Sequence, residues 1–140
     1  MKKLLTILGS TFRTSSITAS NFEVGQVWKY QTREHETNST LTIVQVDTLN
    51  NEEIIHISIE GVSIKNPQSP SGYGESVSHL PISTEALKSS VTKLVQQVSE
   101  LPDYTEGYQT WREAYDSGNG GFFTISVAKC VEYMETAVNQ

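Results

Sequence analysis

At 140 residues the chain suits one domain that buries about two-thirds of the surface its unfolded form exposes, so neither disulfide nor metal is needed for folding. Its 36% hydrophobic, 19% charged and 9% aromatic residues are those of a folded globular protein rather than a disordered one. Sixteen acids against ten bases give a net charge of −6, which argues against sequence-independent binding to nucleic acid and fits a basic protein partner or no charged partner at all.

The opening Met1-Lys2-Lys3 and Leu4-Leu5-Thr6-Ile7-Leu8 resembles the start of an export signal, with small residues at Thr18-Ala19-Ser20. Gly9-Ser10-Thr11 and Arg13 cut the apolar run short, however. Residues 1–20 therefore read as a poorly ordered leader or an added edge strand, ahead of a single domain over 21–140. The expected compartment is the cytoplasm, with export as the alternative. No segment has the apolar length of a membrane-spanning helix, so no membrane partner is expected.

A first strand is predicted over Gln26–Thr32, and Arg33-Glu34-His35-Glu36-Thr37-Asn38 reads as a hairpin loop. A second strand covers about Ser39–Thr48. Leu49-Asn50-Asn51-Glu52 is a tight turn, since asparagine accepts the positive φ such turns require. In the third strand, about Glu53–Val62, alternation sends Ile55, Ile57 and Ile59 inward and Ile54, His56, Ser58 and Glu60 outward. The irregular stretch Ser63–Gly74 follows, and Glu75–Leu80 is predicted to return as a fourth strand that closes or extends the sheet.

Near His79–Pro81 the hydrophobic rhythm changes. Leu87, Val91, Leu94, Val95 and Val98 recur at helical spacing, predicting a helix that starts at Ser83 or Thr84 and runs to about Ser99 before Pro102. Asp103 or Thr105 caps a second helix bearing Tyr104, Tyr108, Trp111 and Tyr115 on one face, ended by Ser117-Gly118-Asn119-Gly120-Gly121. Phe122-Phe123-Thr124-Ile125 is short and β-like. Ser126 caps a last helix to about Val138. The expected fold is α+β: an antiparallel sheet of four or five strands, a meander or half-open barrel, packed on one side by two or three C-terminal helices.

Candidate chemistry is sparse. Cys130 falls within the apolar stripe Val127, Cys130, Val131, Met134 and reads as a buried small hydrophobe. His35, His56 and His79 have no metal-ligand spacing, so neither metal nor cofactor is expected. His56 is assigned an ordinary cross-strand role and His79 a hydrogen bond in the helix-entry turn. No nucleophile elbow or phosphate loop occurs. The leading expectation is a non-enzymatic protein-binding module, such as a stoichiometric immunity-type inhibitor of a basic toxin. It would act through the sheet edge, the loop residues Lys65, Asn66 and Tyr73, and the groove beside Tyr108, Trp111 and Tyr115. The alternatives are a small hydrolytic enzyme using His56 or His79 with Glu60 or Glu75, and a pocket for a small aromatic or sugar ligand. That pocket would require a cavity against Tyr108 or Tyr115, and is dropped if both hydroxyls are buried and satisfied by protein groups.

Gly25-Gln26-Val27-Trp28-Lys29-Tyr30, Ile64-Lys65-Asn66-Pro67, His79-Leu80-Pro81-Ile82 and Gly107-Tyr108-Gln109-Thr110-Trp111-Arg112 together resemble a set of small bacterial proteins without an assigned activity. The resemblance spans about residues 22–140 and implies only that these segments form one unit.

Overall fold

A computed structural model of the chain describes residues 22–140, so the expectations for the leader lie outside the described residues. The elements in order are β1 (Gln26–Tyr30), β2 (Thr40–Leu49), β3 (Glu52–Lys65), β4 (Tyr73–Ser83), α1 (Thr84–Ser90), β5 (Val91–Gln97), α2 (Thr105–Asp116) and α3 (Val127–Val138). All five strands join one antiparallel sheet in the order β4-β3-β2-β1-β5. The expected α+β class and the β1–β4 meander hold. The outer strands β4 and β5 stay unpaired with each other, so the sheet is open and not a closed barrel.

Asn50 and Asn51 take φ of 51° and 65°, so the β2–β3 hairpin turns in two residues and its register follows from the turn. Leu49 lies opposite Glu52, Asp47 opposite Ile54, and Gln45 opposite His56. Ile55, Ile57 and Ile59 join Leu41, Ile43, Leu80, Ile82, Leu87, Val127, Cys130 and Val131 in the main core. That core puts α1 and α3 against one face of the sheet. Ser83 caps α1 by accepting from the Ala86 N–H, and Ser126 caps α3 by accepting from the Lys129 N–H, as their sequences suggest.

Two expectations fail. The helix predicted to reach Ser99 stops at Ser90, and Val91–Gln97 forms the edge strand β5. Its pairing with β1 carries two register shifts: Val91 faces Tyr30 and Leu94 faces Trp28, so three steps on β5 answer two on β1. A bulged strand thus repeats its apolar side chains every three residues, which mimics helical spacing. The helices also do not gather on one side. Alternation places Ile54, His56 and Ser58 on the face opposite Ile55, Ile57 and Ile59, and there Tyr108 and Trp111 of α2 pack on His56.

At one end of the sheet the β1–β2 loop is clamped by charge. Arg33 donates from Nε and Nη2 to Glu36, at 3.0 and 2.6 Å, and from Nη1 to Glu135 of α3 at 2.8 Å. The buried Glu36 carboxylate also accepts the Ser63 N–H at 2.7 Å. Burial opposes its charge, yet the Arg33 fork and the Ser63 N–H prevail and hold the carboxyl below its usual range. The Cys130 thiol is buried and pushed up to about 12 by desolvation, in keeping with the inert core role read from the sequence.

Candidate functional site

Between the sheet and α2 lies a polar cluster drawn from four elements. Alternation along β3 points His56 away from the main core, and the hairpin register sets Gln45 beside it and Asp47 one step further along β2. β4 brings in His79. His56 is fully buried; its Nδ1 lies 2.9 Å from His79 Nε2 and its Nε2 lies 3.1 Å from Asp47 Oδ2. The imidazole rings stack at a centroid distance of 5.1 Å.

Asp47 collects three donors. Besides His56, it accepts the Tyr108 hydroxyl at 2.7 Å on Oδ2 and Gln45 Nε2 at 3.1 Å on Oδ1. Burial opposes the Asp47 charge, but these donors and the nearby His56 more than offset it and hold the carboxyl below its ordinary range. An ionised carboxylate only accepts, so His56 donates from Nε2 and, when neutral, accepts at Nδ1. His79 must then donate from Nε2, which leaves its Nδ1 bare. Among the described residues no protein group hydrogen-bonds that nitrogen. Burial lowers the affinity of both rings for a proton; for His79, with the neighbouring His56 adding to the effect, the pKa falls to about 4.

The aromatic stripe of α2 roofs this cluster. Each ring ends in a polar atom that the protein satisfies. The Tyr104 hydroxyl donates to Gln45 Oε1 at 3.0 Å, Tyr108 to Asp47, and Trp111 Nε1 to the Gly121 carbonyl at 2.6 Å. Tyr115 accepts from Asn50 Nδ2 at 3.0 Å, and Arg112 Nη1 donates to the Tyr108 hydroxyl at 3.3 Å. Tyr108 and Trp111 meet the His56 ring edge-on, with centroids 4.9 and 4.7 Å away. Close approach of the helix depends on Gly107: a Cβ built there would lie 2.8 Å from the Cβ of His79. The N-cap is Tyr104, without a side-chain cap bond; Asp103, one of the two predicted caps, instead accepts the Thr105 N–H at 3.2 Å.

The predicted site residues separate into two places. Tyr108 and Trp111 touch the histidine cluster, and Tyr115 extends the same face toward the Asn50 turn. Lys65, Asn66 and Tyr73 sit at the far end of the β3–β4 hairpin, where Lys65 pairs with Tyr73. Nine positions along β3 part Lys65 from His56, up to roughly 30 Å at strand rise. There the Lys65 N–H is taken by Glu135, and Asn66 closes a short turn by accepting the Gln68 N–H. Tyr73 is 49% exposed. Glu60 and Glu75 line an open groove with Tyr73 rather than joining the histidines, so the expected His/Glu pairing is replaced by His/Asp. His56 has the cross-strand partners its place on the polar face suggests, Asp47 on β2 and His79 on β4, but it meets them fully buried.

Asp47 is the residue that reading missed. Its signal was the Asn50-Asn51 turn: a two-residue turn fixes the register, and counting back from it sets Gln45 and Asp47 around His56. Among the described residues no cluster of metal-binding side chains occurs, and no helix is long and apolar enough to cross a membrane. No family model, curated protein or solved structure matches the chain.

Proposed function

We propose that the chain is a non-enzymatic protein-binding module that receives an extended partner segment on the outer edge of β5. One observation carries this reading. Among the described residues β5, a seven-residue strand, pairs only with β1, and every residue from Thr92 to Gln97 is exposed. The helices that cover the rest of the sheet do not extend over it. Its Leu94 and Val95 are 46% and 44% exposed, so the free edge offers main-chain hydrogen bonds flanked by apolar side chains.

Charge refines the partner. Lys29 and Lys93 face each other directly across β1 and β5, and neither makes an ion pair among the described residues. A like-charged cross-strand pair is unfavourable until an acidic group joins it. The net charge of −6 acts at longer range and draws a basic protein. A basic partner with an acidic residue in its docking strand satisfies both, and an immunity-type inhibitor is the form that size and charge favour.

The test is a capture from the native host at matched salt. Wild-type protein should retain one defined partner, with affinity falling as salt rises. The double variant Leu94→Lys/Val95→Lys should lose that partner while its melting temperature stays within about 2 °C, because exposed positions contribute little to stability. Lys65→Ala/Tyr73→Ala should keep it. Retention by the β5 variant, or no partner at all, rejects the reading.

The histidine cluster favours a second reading, an acid–base enzyme in which His79 Nδ1 is the base and Asp47 orients it through His56. Gly107 packed over His79 leaves little room for substrate, and this reading requires that His79→Ala abolish turnover while the fold persists. For the ligand-pocket reading, Asp47 and Arg112 already engage the Tyr108 hydroxyl, while the Tyr115 hydroxyl accepts from Asn50 at an exposed position.

A further inference from the structure

We propose that α2 is an acid-released lid: the hydrogen-bonded pair His56–His79 beneath it keeps the helix on the sheet only while both imidazoles are neutral. The cluster has one consistent arrangement of protons. Nε2 of His56 serves Asp47, and the single N–H between the rings belongs to His79. An added proton has one vacant place, His79 Nδ1, where it creates a cation under the helix. A second proton, on His56 Nδ1, sets two N–H donors against each other across 2.9 Å and breaks the link.

The groups facing the pair are Asp47 from β2 and Tyr108 and Arg112 from α2. Asp47 favours a charged His56, whereas burial and Arg112 oppose it. With the helix lifted, His56 gains access to water, the half-buried His79 gains more, and both rings titrate near their ordinary value of about 6.5. Their proton affinity is lowered in the closed form, so the open form binds more protons. The closed form is therefore fully favoured above about pH 6.5 and loses ground as pH falls toward 4. The His79 proton alone makes the open population grow by about tenfold per pH unit in that window, and uptake at His56 steepens the rise.

The release is local. No residue of α2 is fully buried, and its hold on the sheet consists of ring contacts and hydrogen bonds, the kind of segment that opens below the global unfolding energy. β3, by contrast, runs through the main core on the other face. Lifting α2 uncovers its aromatic rings together with the imidazoles they pack on, a surface that only acid would present. The inference is independent of β5 and of any partner bound there.

The experiment is an NMR titration of the full chain from pH 7.5 to 4.5. It follows the imidazole nitrogens, the Trp111 indole N–H, and amide exchange in α2 relative to β3. At pH 7.5 both rings should be neutral with the proton on Nε2. Below 6.5 the Trp111 signal should move and α2 exchange should rise at least tenfold relative to β3, reversibly. His79→Gln preserves a donor to His56 but removes one titrating ring, so the pH slope should fall by about one proton. Three results would each overturn the proposal: rings that charge near 6.5 with α2 unmoved, α2 still closed at pH 4.5, or α2 and β3 losing protection together. These wild-type outcomes decide the matter even if His79→Gln does not fold.

Discussion

On the sheet face that carries Ile55, Ile57 and Ile59, aliphatic side chains from β2, β4, α1 and α3 close a dry layer, and most of them have no solvent exposure. On the opposite face, around His56, α2 lays down large rings, and every one of their polar tips is tied to a named partner. Dispersion and the hydrophobic effect hold the first layer, neither of which depends on pH or on exact direction. Directional hydrogen bonds around two titratable rings hold the second. One sheet thus supports a face that fails only with the whole domain and a face that can open alone.

The largest expected effect tests the dry face. Ile57 is fully buried, and Ile57→Ala removes methyl groups from a layer that cannot collapse around the gap, for a loss of about 2–5 kcal/mol in denaturant unfolding. α2 and β3 signals should disappear in one transition. A cost under about 1 kcal/mol would mean that the aliphatic layer is loosely packed, and the contrast between the faces would fail.

Gly107→Ala sharpens the contrast from the other side. Alanine gains up to about 1 kcal/mol in helix propensity over glycine, yet its Cβ would meet the Cβ of His79 at 2.8 Å. Overpacking of this kind costs about 1–3 kcal/mol, so the helix should be displaced on balance. The Trp111 indole and α2 exchange should respond while β3 protection stays. Greater stability in the Gly107→Ala variant, with an unchanged Trp111 environment, would show that α2 is not seated on His79.

Much of the dry face was legible in the sequence because its signals are local. Ile55, Ile57 and Ile59 alternate cleanly, Asn50-Asn51 marks its own turn, and Ser83 and Ser126 announce their helices. Val91–Gln97 was not legible, because bulges against β1 turned a two-residue rhythm into a three-residue one, and the choice between helix and strand fell to the unpaired edge of β1. The candidate site was legible by halves. The spacing of Tyr104, Tyr108, Trp111 and Tyr115 gave the roof, while the floor needed residues from three strands, and only register brings Asp47, His56 and His79 together. Lys65, Asn66 and Tyr73 drew notice because irregular loops often carry contacts, but their backbone groups serve a turn and the α3 anchor.

The smallest effect asks whether the hydrogen bonds of α2 act as a set or through one member. Tyr115→Phe removes the acceptor for Asn50 Nδ2 at an exposed position, where water replaces it, so stability should change by less than about 0.5 kcal/mol. Tyr108→Phe takes a 2.7 Å donor from a carboxylate that also fixes the His56 proton, and should cost about 1–1.5 kcal/mol. It should also shift the onset of α2 release toward neutral pH. With one donor fewer, Asp47 takes up a proton more readily, and a neutral Asp47 no longer orients or supports the imidazole beside it. If the two variants prove equal in both respects, α2 is held by ring packing alone and Asp47 is a bystander. If Tyr108→Phe alone moves the acid response, the hold on the helix runs through Asp47 into the histidine pair, and the remaining hydroxyls only trim its fit.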